Sequence, residues 1–170
     1  MTTSKHRLFF GCQLNAANPS RPQGFSLWSG AGNVGFDAHV CWQDQEPVQD
    51  DLWRRWGAGN HIEESFDGDI VQCCGDPIRI AQWLRAWLRG FEKAPEVWVV
   101  SVQDVAHFTP LVGMNRVPLY DISSLYRYIG KDFYSALKDA KFSAAIKAGS
   151  DMRVPSYVAS ELFNKVKNIV

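Results

Sequence analysis

Val97-Trp98-Val99-Val100-Ser101-Val102 is a nearly continuous apolar run, and this stretch decides the fold that the sequence predicts. An apolar run placed after a helical segment is typical of a strand that is buried on both faces and pairs in parallel. The helical segment before it has a good start, because Asp76 suits an N-cap and Pro77 suits the first helical position. Its apolar residues recur at helical spacing: Ile80, Leu84, Trp87, Leu88 and Phe91.

The N-terminal part of the chain predicts antiparallel strands. Leu8–Leu14 and Gly24–Trp28 have strand composition, and the loop Asn15–Gln23 separates them. Apolar side chains then occupy every second position along Phe36–Trp42, which is the period of a strand with one buried face. The short connections favour a three-strand antiparallel meander.

The remaining segments add helices and one more strand. A short helix is predicted over Asp50–Trp56, and Pro118–Tyr120 predicts a short fifth strand. Two helical patterns close the chain: Phe133, Leu137, Ala140 and Ala144 in one, and Val158, Leu162, Val166 and Ile169 in the other. This order of elements indicates an α/β fold with a mixed sheet, an antiparallel three-strand meander plus parallel strands, flanked by helices.

Composition predicts a single domain without a long-range electrostatic field. The 170 residues, 46% of them hydrophobic, suffice for one core, so we expect a single domain over residues 1–170. Eighteen basic and eighteen acidic side chains cancel, which removes any general attraction to nucleic acid or to an anionic membrane. The sequence shows neither a secretion signal nor a run near the roughly 18 apolar residues of a membrane span. We therefore expect a soluble, cytoplasmic protein with no membrane partner and with four reduced cysteines.

Three rival motifs have simpler interpretations. The segment Gly30–Gly35 matches the dinucleotide-binding fingerprint, but that function requires a helix directly after it, so we predict a hairpin turn instead. His61–Glu64 and Asp67–Asp69 lack the spacing of a zinc or calcium site and predict a solvated loop. Cys73 and Cys74 have no partner histidine, which favours a structural role.

A motif near the C-terminus carries a family resemblance. Phe133-Tyr134-Ser135-Ala136-Leu137-Lys138-Asp139-Ala140 resembles the last motif of the DEDD family of 3′–5′ exonucleases, His-x-Ala-Leu-x-Asp-Ala, with Tyr134 at the histidine. The order of the segments over roughly Leu8 to Ala148 is similar to the RNase T-like and oligoribonuclease-like branch. The resemblance implies a ribonuclease H-like sheet.

The same resemblance implies a degenerate active site. Active members of the family hold two Mg²⁺ or Mn²⁺ ions with four carboxylates, because hard, mutually repelling cations need anionic oxygen ligands. Here Gly11 and Gln13 stand where the first strand of the family carries Asp-x-Glu. Asp104, or His107 after a small shift, matches the next acid. A tyrosine, with a reference pKa of about 10, is also a poor base at neutral pH. No residue is assigned as catalytic, and the vestigial positions are Gly11, Gln13, Asp104, Tyr134 and Asp139.

Two functions remain open. The sequence favours a catalytically degenerate exonuclease-like pseudoenzyme without a cofactor, which binds a protein partner or a nucleic-acid end. Its candidate binding residues are Trp53, Arg54, Arg55 and Trp56, because arginine beside tryptophan is typical of protein interfaces and of base-stacking platforms. The simpler interpretation, which the sequence favours, is an amphipathic helix whose tryptophans face the core. Asp104 and Asp139 would hold at most one weakly bound metal ion. The alternative is a divergent exonuclease for RNA or single-stranded DNA that uses Mg²⁺ or Mn²⁺ around Asp104, Asp121 and Asp139.

Overall fold

The computed structural model of the protein describes residues 6–14, 17–18, 21–30, 34–42, 63–67, 70–113, 117–148 and 153–169. The strands within these ranges are β1 (Arg7–Leu14), β2 (Pro22–Trp28), β3 (Gly35–Val40), β4 (Glu63–Asp67), β5 (Ile70–Gly75), β6 (Glu96–Val99) and β7 (Leu119–Asp121). The helices are α1 (Pro77–Arg89), α2 (Val102–Val112), α3 (Ile122–Ile129), α4 (Phe133–Lys147) and α5 (Val154–Asn164). Together they form an α/β structure.

The strands form one mixed sheet in the order β4-β5-β3-β2-β1-β6-β7. β1, β2 and β3 pair as an antiparallel meander, and β6 pairs in parallel with both β1 and β7. This arrangement, with helices on both faces, is consistent with a ribonuclease H-like fold and confirms the predicted fold class. The hairpin predicted at Gly30–Gly35 is also confirmed, since it joins β2 to β3 and the Ser29 amide donates to the Val34 carbonyl at 3.0 Å.

β4 lies where the sequence predicted a solvated loop, and that prediction was wrong. β5, which follows it, was not predicted. β4 contains Glu63, Glu64 and Asp67, and it pairs antiparallel with β5, which pairs in parallel with β3. The apolar content of β5 was underestimated, because Cys73 and Cys74 are buried there like small hydrophobic residues. The thiols of Cys41 and Cys74 are in contact, with their Sγ atoms 3.4 Å apart.

The strand predicted over Val97–Val102 is parallel, as expected, but shorter. β6 ends at Val99, and α2 begins at Val102 because Ser101 and Asp104 form a reciprocal capping box. Helix α3, which follows β7 directly with Asp121 as its N-cap, was not predicted. The helix predicted over Asp50–Trp56 lies outside the described residues.

Each face of the sheet has its own apolar core, because side chains alternate between the faces along β1. Leu8 and Phe10 point to the face that α1 and α2 cover. Phe9 points to the opposite face and packs with residues of α3, α4 and α5. On that face α5 lies directly on β1, and α4 packs against α5. In the described part of the chain, no helix has both the length and the apolar content needed to cross a membrane.

Candidate functional site

The structure places Gly11 beneath the first turn of α5. A Cβ atom on Gly11 would overlap with the backbone of Pro155 and Ser156. Gln13 lies two residues further on the same face of β1 and is half-buried, opposite Gly24 of β2. The position that matches the first family aspartate therefore has no room for a carboxylate while α5 is in place.

Polar side chains fix α5 to the sheet beside Gly11. The neighbours of Gly11 across the sheet are Ser26 on β2 and Asp37 on β3. Ser26 Oγ donates a hydrogen bond to Ser156 Oγ at 2.5 Å, and the Asp37 carboxylate pairs with Arg153 Nε at 2.6 Å. Both side chains of this ion pair are largely buried, with relative exposures of 16% for Arg153 and 10% for Asp37. These contacts hold the first turn of α5 on the sheet beside Gly11.

Asp104 and Asp121 come together at the carboxyl ends of β6 and β7, where each one caps a helix. Asp104 Oδ2 accepts from the Ser101 amide at 3.3 Å. Asp121 Oδ1 accepts from the amide and the hydroxyl of Ser123, and Oδ2 accepts from the Ser124 hydroxyl. Burial raises the pKa of Asp104, backbone hydrogen bonds oppose this effect, and the nearby Asp121 charge adds to it. The two carboxylates therefore have structural partners already.

Asp139 and Tyr134, the residues of the family-like motif, both lie on α4. Asp139 is 71% exposed, and its carboxylate lies 4.0 Å from Lys165 Nζ. Lys165 directly follows the last residue of α5, whereas Pro155, which covers Gly11, is in the first turn. At the rise of an α-helix these two ends are about 15 Å apart. The structure thus brings Asp104 and Asp121 together but leaves Asp139 at the far end of α5.

The positions of these acidic side chains do not favour metal binding. Within the described ranges, no three His, Cys, Asp or Glu side chains lie close enough to hold a metal ion. The Asp104 and Asp121 carboxylates form a pair, and a two-metal phosphoryl-transfer site needs more anionic oxygen ligands than a pair supplies. His107 interacts electrostatically with Asp104 on α2.

A cavity of about 400 Å³ opens beside Asp104 and Asp121, and most of the residues around it are polar or charged. We call it the edge pocket, and it is lined by Ser101, Ser123, Arg127, Lys131, Asp132, Phe133 and Tyr134. Three helices begin there, because Ser101 caps α2, Ser123 is in the first turn of α3 and Asp132 caps α4. Each of these helix N-termini already has a carboxylate that accepts from it, namely Asp104, Asp121 or Asp132. An anion in the edge pocket would therefore bind through the two cationic side chains, Arg127 and Lys131, rather than through the helix ends.

The cations of the edge pocket are available for a ligand. Among the residues that the structure describes, neither the Arg127 guanidinium nor the Lys131 ammonium group has a hydrogen-bond or ion-pair partner. Asp132 is the one acidic residue in the lining, and its carboxylate accepts from the Ser135 amide at 3.2 Å. Tyr134 is 81% exposed at the same site. An exposed aromatic ring next to free cations is a common way to hold a base and its phosphate.

Of the residues that line the edge pocket, only Tyr134 was predicted from the sequence as a site residue. Arg127 and Lys131 are four residues apart around the end of α3, and the missed helix is the reason that they were not recognised as neighbours. The Asp121-Ile122-Ser123-Ser124 stretch was the available signal, since an aspartate followed by hydroxyl residues is typical of a helix start. The proposed binding residues Trp53, Arg54, Arg55 and Trp56 lie outside the described residues.

Comparisons of this chain with models of protein families, with curated proteins and with solved structures gave no match.

Proposed function

We propose that this protein is a catalytically degenerate relative of the DEDD exonucleases that binds the end of a single-stranded nucleic acid without cutting it. One observation supports the proposal. Pro155 and Ser156 cover Gly11, whereas the edge pocket stays open beside the carboxyl ends of β6 and β7 and contains the side chains of Arg127 and Lys131. In open α/β sheets, ligands bind at the carboxyl ends of strands.

Binding without cleavage follows from the positions of the acidic side chains. Hydrolysis with two metal ions requires several carboxylates around one point. Asp104 and Asp121 are engaged as helix caps, and Asp139 is exposed at the other end of α5. The alternative of a divergent exonuclease built on these three residues therefore has less support than binding.

The chemistry of the edge pocket fits a terminal nucleotide. Arg127 can meet a phosphate with two parallel N–H donors, and Lys131 adds a flexible point charge. The exposed ring of Tyr134 offers a surface on which a terminal base can stack, whichever base it is. Asp132 in the lining and the Asp104 and Asp121 carboxylates beside it offset the positive charge, so affinity should be modest and should fall as salt is added.

Binding of labelled oligonucleotides tests this proposal. We expect fluorescence anisotropy to show that a short linear single strand binds more tightly than a circular single strand of the same composition, because only the linear strand has ends. Replacing both Arg127 and Lys131 by glutamine should weaken binding of the linear strand by about tenfold or more, since hydrogen bonds to charged groups contribute about 1.5–3 kcal/mol each.

The matched control replaces Lys138 and Lys141 by glutamine. Both are exposed on α4 and neither lines the edge pocket, so this variant loses the same formal charge at a different place. It should bind nearly as well as the unmodified protein. Equal weakening by the two double variants, or no binding of either strand at low salt, would contradict the proposal and favour a protein partner.

A further inference from the structure

A second cavity lies on the opposite face of the sheet, between the sheet, α1 and α2. Its volume is about 340 Å³, which is within the range of small-molecule sites in proteins. Phe10 and Phe25 of the sheet form part of its wall, and Leu111 of α2 forms another part. We call it the inner cavity. It shares no lining residue with the edge pocket.

The walls of the inner cavity favour an apolar ligand body. Most of the lining is apolar, including the buried rings of Phe10 and Phe25. Ile78, in the first turn of α1, also lines the cavity although it is 71% exposed. An exposed isoleucine beside an open apolar cavity would lose contact with water if a ligand filled the space, and such burial is favourable by about 25 cal/mol per Å².

One charged group distinguishes this cavity from a simple packing defect. Arg85 of α1 lines it and is half-buried, and its Nε donates to the Leu111 carbonyl at 3.0 Å. A guanidinium group has five N–H donors, and this bond uses one of them. Within the described part of the chain, no carboxylate pairs with Arg85. A half-buried cation with spare donors at an apolar cavity is complementary to an anion.

An anionic group of a ligand would bind at the Arg85 end of the inner cavity, because the acidic side chain Asp104 lies near the other end. Asp104 interacts electrostatically with Cys12 and His107, which also line the cavity. Asp104 precedes Leu111 by seven residues on α2, or about 10 Å along the helix axis, so its charge lies far from the Arg85 contact. Burial, with a smaller effect of Asp104, raises the pKa of Cys12 to about 12, so the thiol is protonated at neutral pH and does not repel an anion.

We propose that the inner cavity binds a small organic carboxylate, with its apolar body against Phe10, Phe25 and Leu111 and its carboxylate on the Arg85 guanidinium. This site is separate from the proposed nucleic-acid site. It adds a small-molecule ligand to a protein whose edge pocket takes a phosphate.

The test uses the full chain and two probes of the same shape, 2-naphthoate and its neutral amide, 2-naphthamide. Isothermal titration calorimetry should show saturable binding of 2-naphthoate, with the amide weaker by about tenfold because it lacks the charge that pairs with arginine. Arg85→Gln should remove this preference, so that the two probes bind alike. Arg89→Gln is the matched control, since Arg89 is exposed on the same helix and does not line the cavity.

A second variant keeps the test independent of Arg85. Ala106 lines the cavity from an exposed position on α2, so Ala106→Trp should fill the space and abolish binding of both probes. Ala86→Trp, at an exposed position of α1 outside the lining, should leave binding intact. The double glutamine variant at Arg127 and Lys131 should also bind 2-naphthoate normally. Absence of saturable binding by the unmodified protein, or binding that neither Arg85→Gln nor Ala106→Trp changes, would overturn the proposal.

Discussion

Gly11 lies at a point where the backbone of α5 comes too close for any side chain. Its neighbours there are main-chain atoms of Pro155 and Ser156, which cannot rotate away as the end of a flexible side chain can. The residue therefore has a packing role that depends on the position of α5. The contact leaves no room for a metal-ligating side chain at position 11.

Replacing Gly11 by alanine should lower the free energy of unfolding. An added methyl group in a closely packed contact costs about 1–3 kcal/mol, and urea denaturation measures the change. Gly90→Ala is the control, because Gly90 is exposed and has helical dihedral angles at the end of α1. The control should change stability by less than about 0.5 kcal/mol. If Gly11→Ala is as stable as Gly90→Ala, α5 does not cover β1 as described.

At the scale of elements, α5 determines what the sheet can do. It is attached to β2 and β3 by the Ser26–Ser156 hydrogen bond and the Asp37–Arg153 ion pair. Trp28 of β2 also stacks on Tyr157, with ring centroids 4.0 Å apart. Polar and aromatic contacts of this kind fix the orientation of a helix, whereas apolar burial alone is less directional.

Breaking the buried ion pair should loosen this attachment. Arg153→Met removes the cation that lies 2.6 Å from the largely buried Asp37 carboxylate, and breaking such a pair is expected to cost about 3–5 kcal/mol in the free energy of unfolding. Lys147→Met is a matched control, because Lys147 pairs with Glu161 at 2.8 Å but is 60% exposed. An exposed pair of this kind contributes about 0–1 kcal/mol. Equal losses in the two variants would mean that the Asp37–Arg153 pair does not hold α5 to the sheet.

The sequence predicted those elements whose signals are local. The alternation along Phe36–Trp42 and the Asp76 cap determine β3 and α1 from neighbouring residues alone. β5 could not be predicted in this way, since its two cysteines resemble strand residues only once β3 and β4 flank them. The contact of Pro155 and Ser156 with Gly11 could not be predicted from the sequence either, because β1 and α5 are distant in the chain and only the packed fold brings them together.

At the scale of the whole molecule, the two faces of the sheet have different chemistry. The helices α3, α4 and α5 fill one face and leave at its edge a pocket lined by charged and polar side chains, whereas α1 and α2 enclose an apolar cavity on the other. The net charge of the chain is zero, so neither site benefits from a long-range field. Recognition at both sites must therefore come from a few nearby side chains.

The central claim is that α5 covers Gly11 and that the protein binds a nucleic-acid strand without cleaving it. The length of the bound strand tests this claim most directly. Single-stranded RNA and DNA labelled at the 5′ end are incubated with the protein and Mn²⁺, and the products are resolved by denaturing electrophoresis. Because α5 covers Gly11, we expect the strands to keep their length at protein concentrations that saturate binding. The account would be contradicted if the strands became shorter from the 3′ end, if a chelator stopped this shortening, and if an Asp104→Asn preparation purified in parallel did not show it.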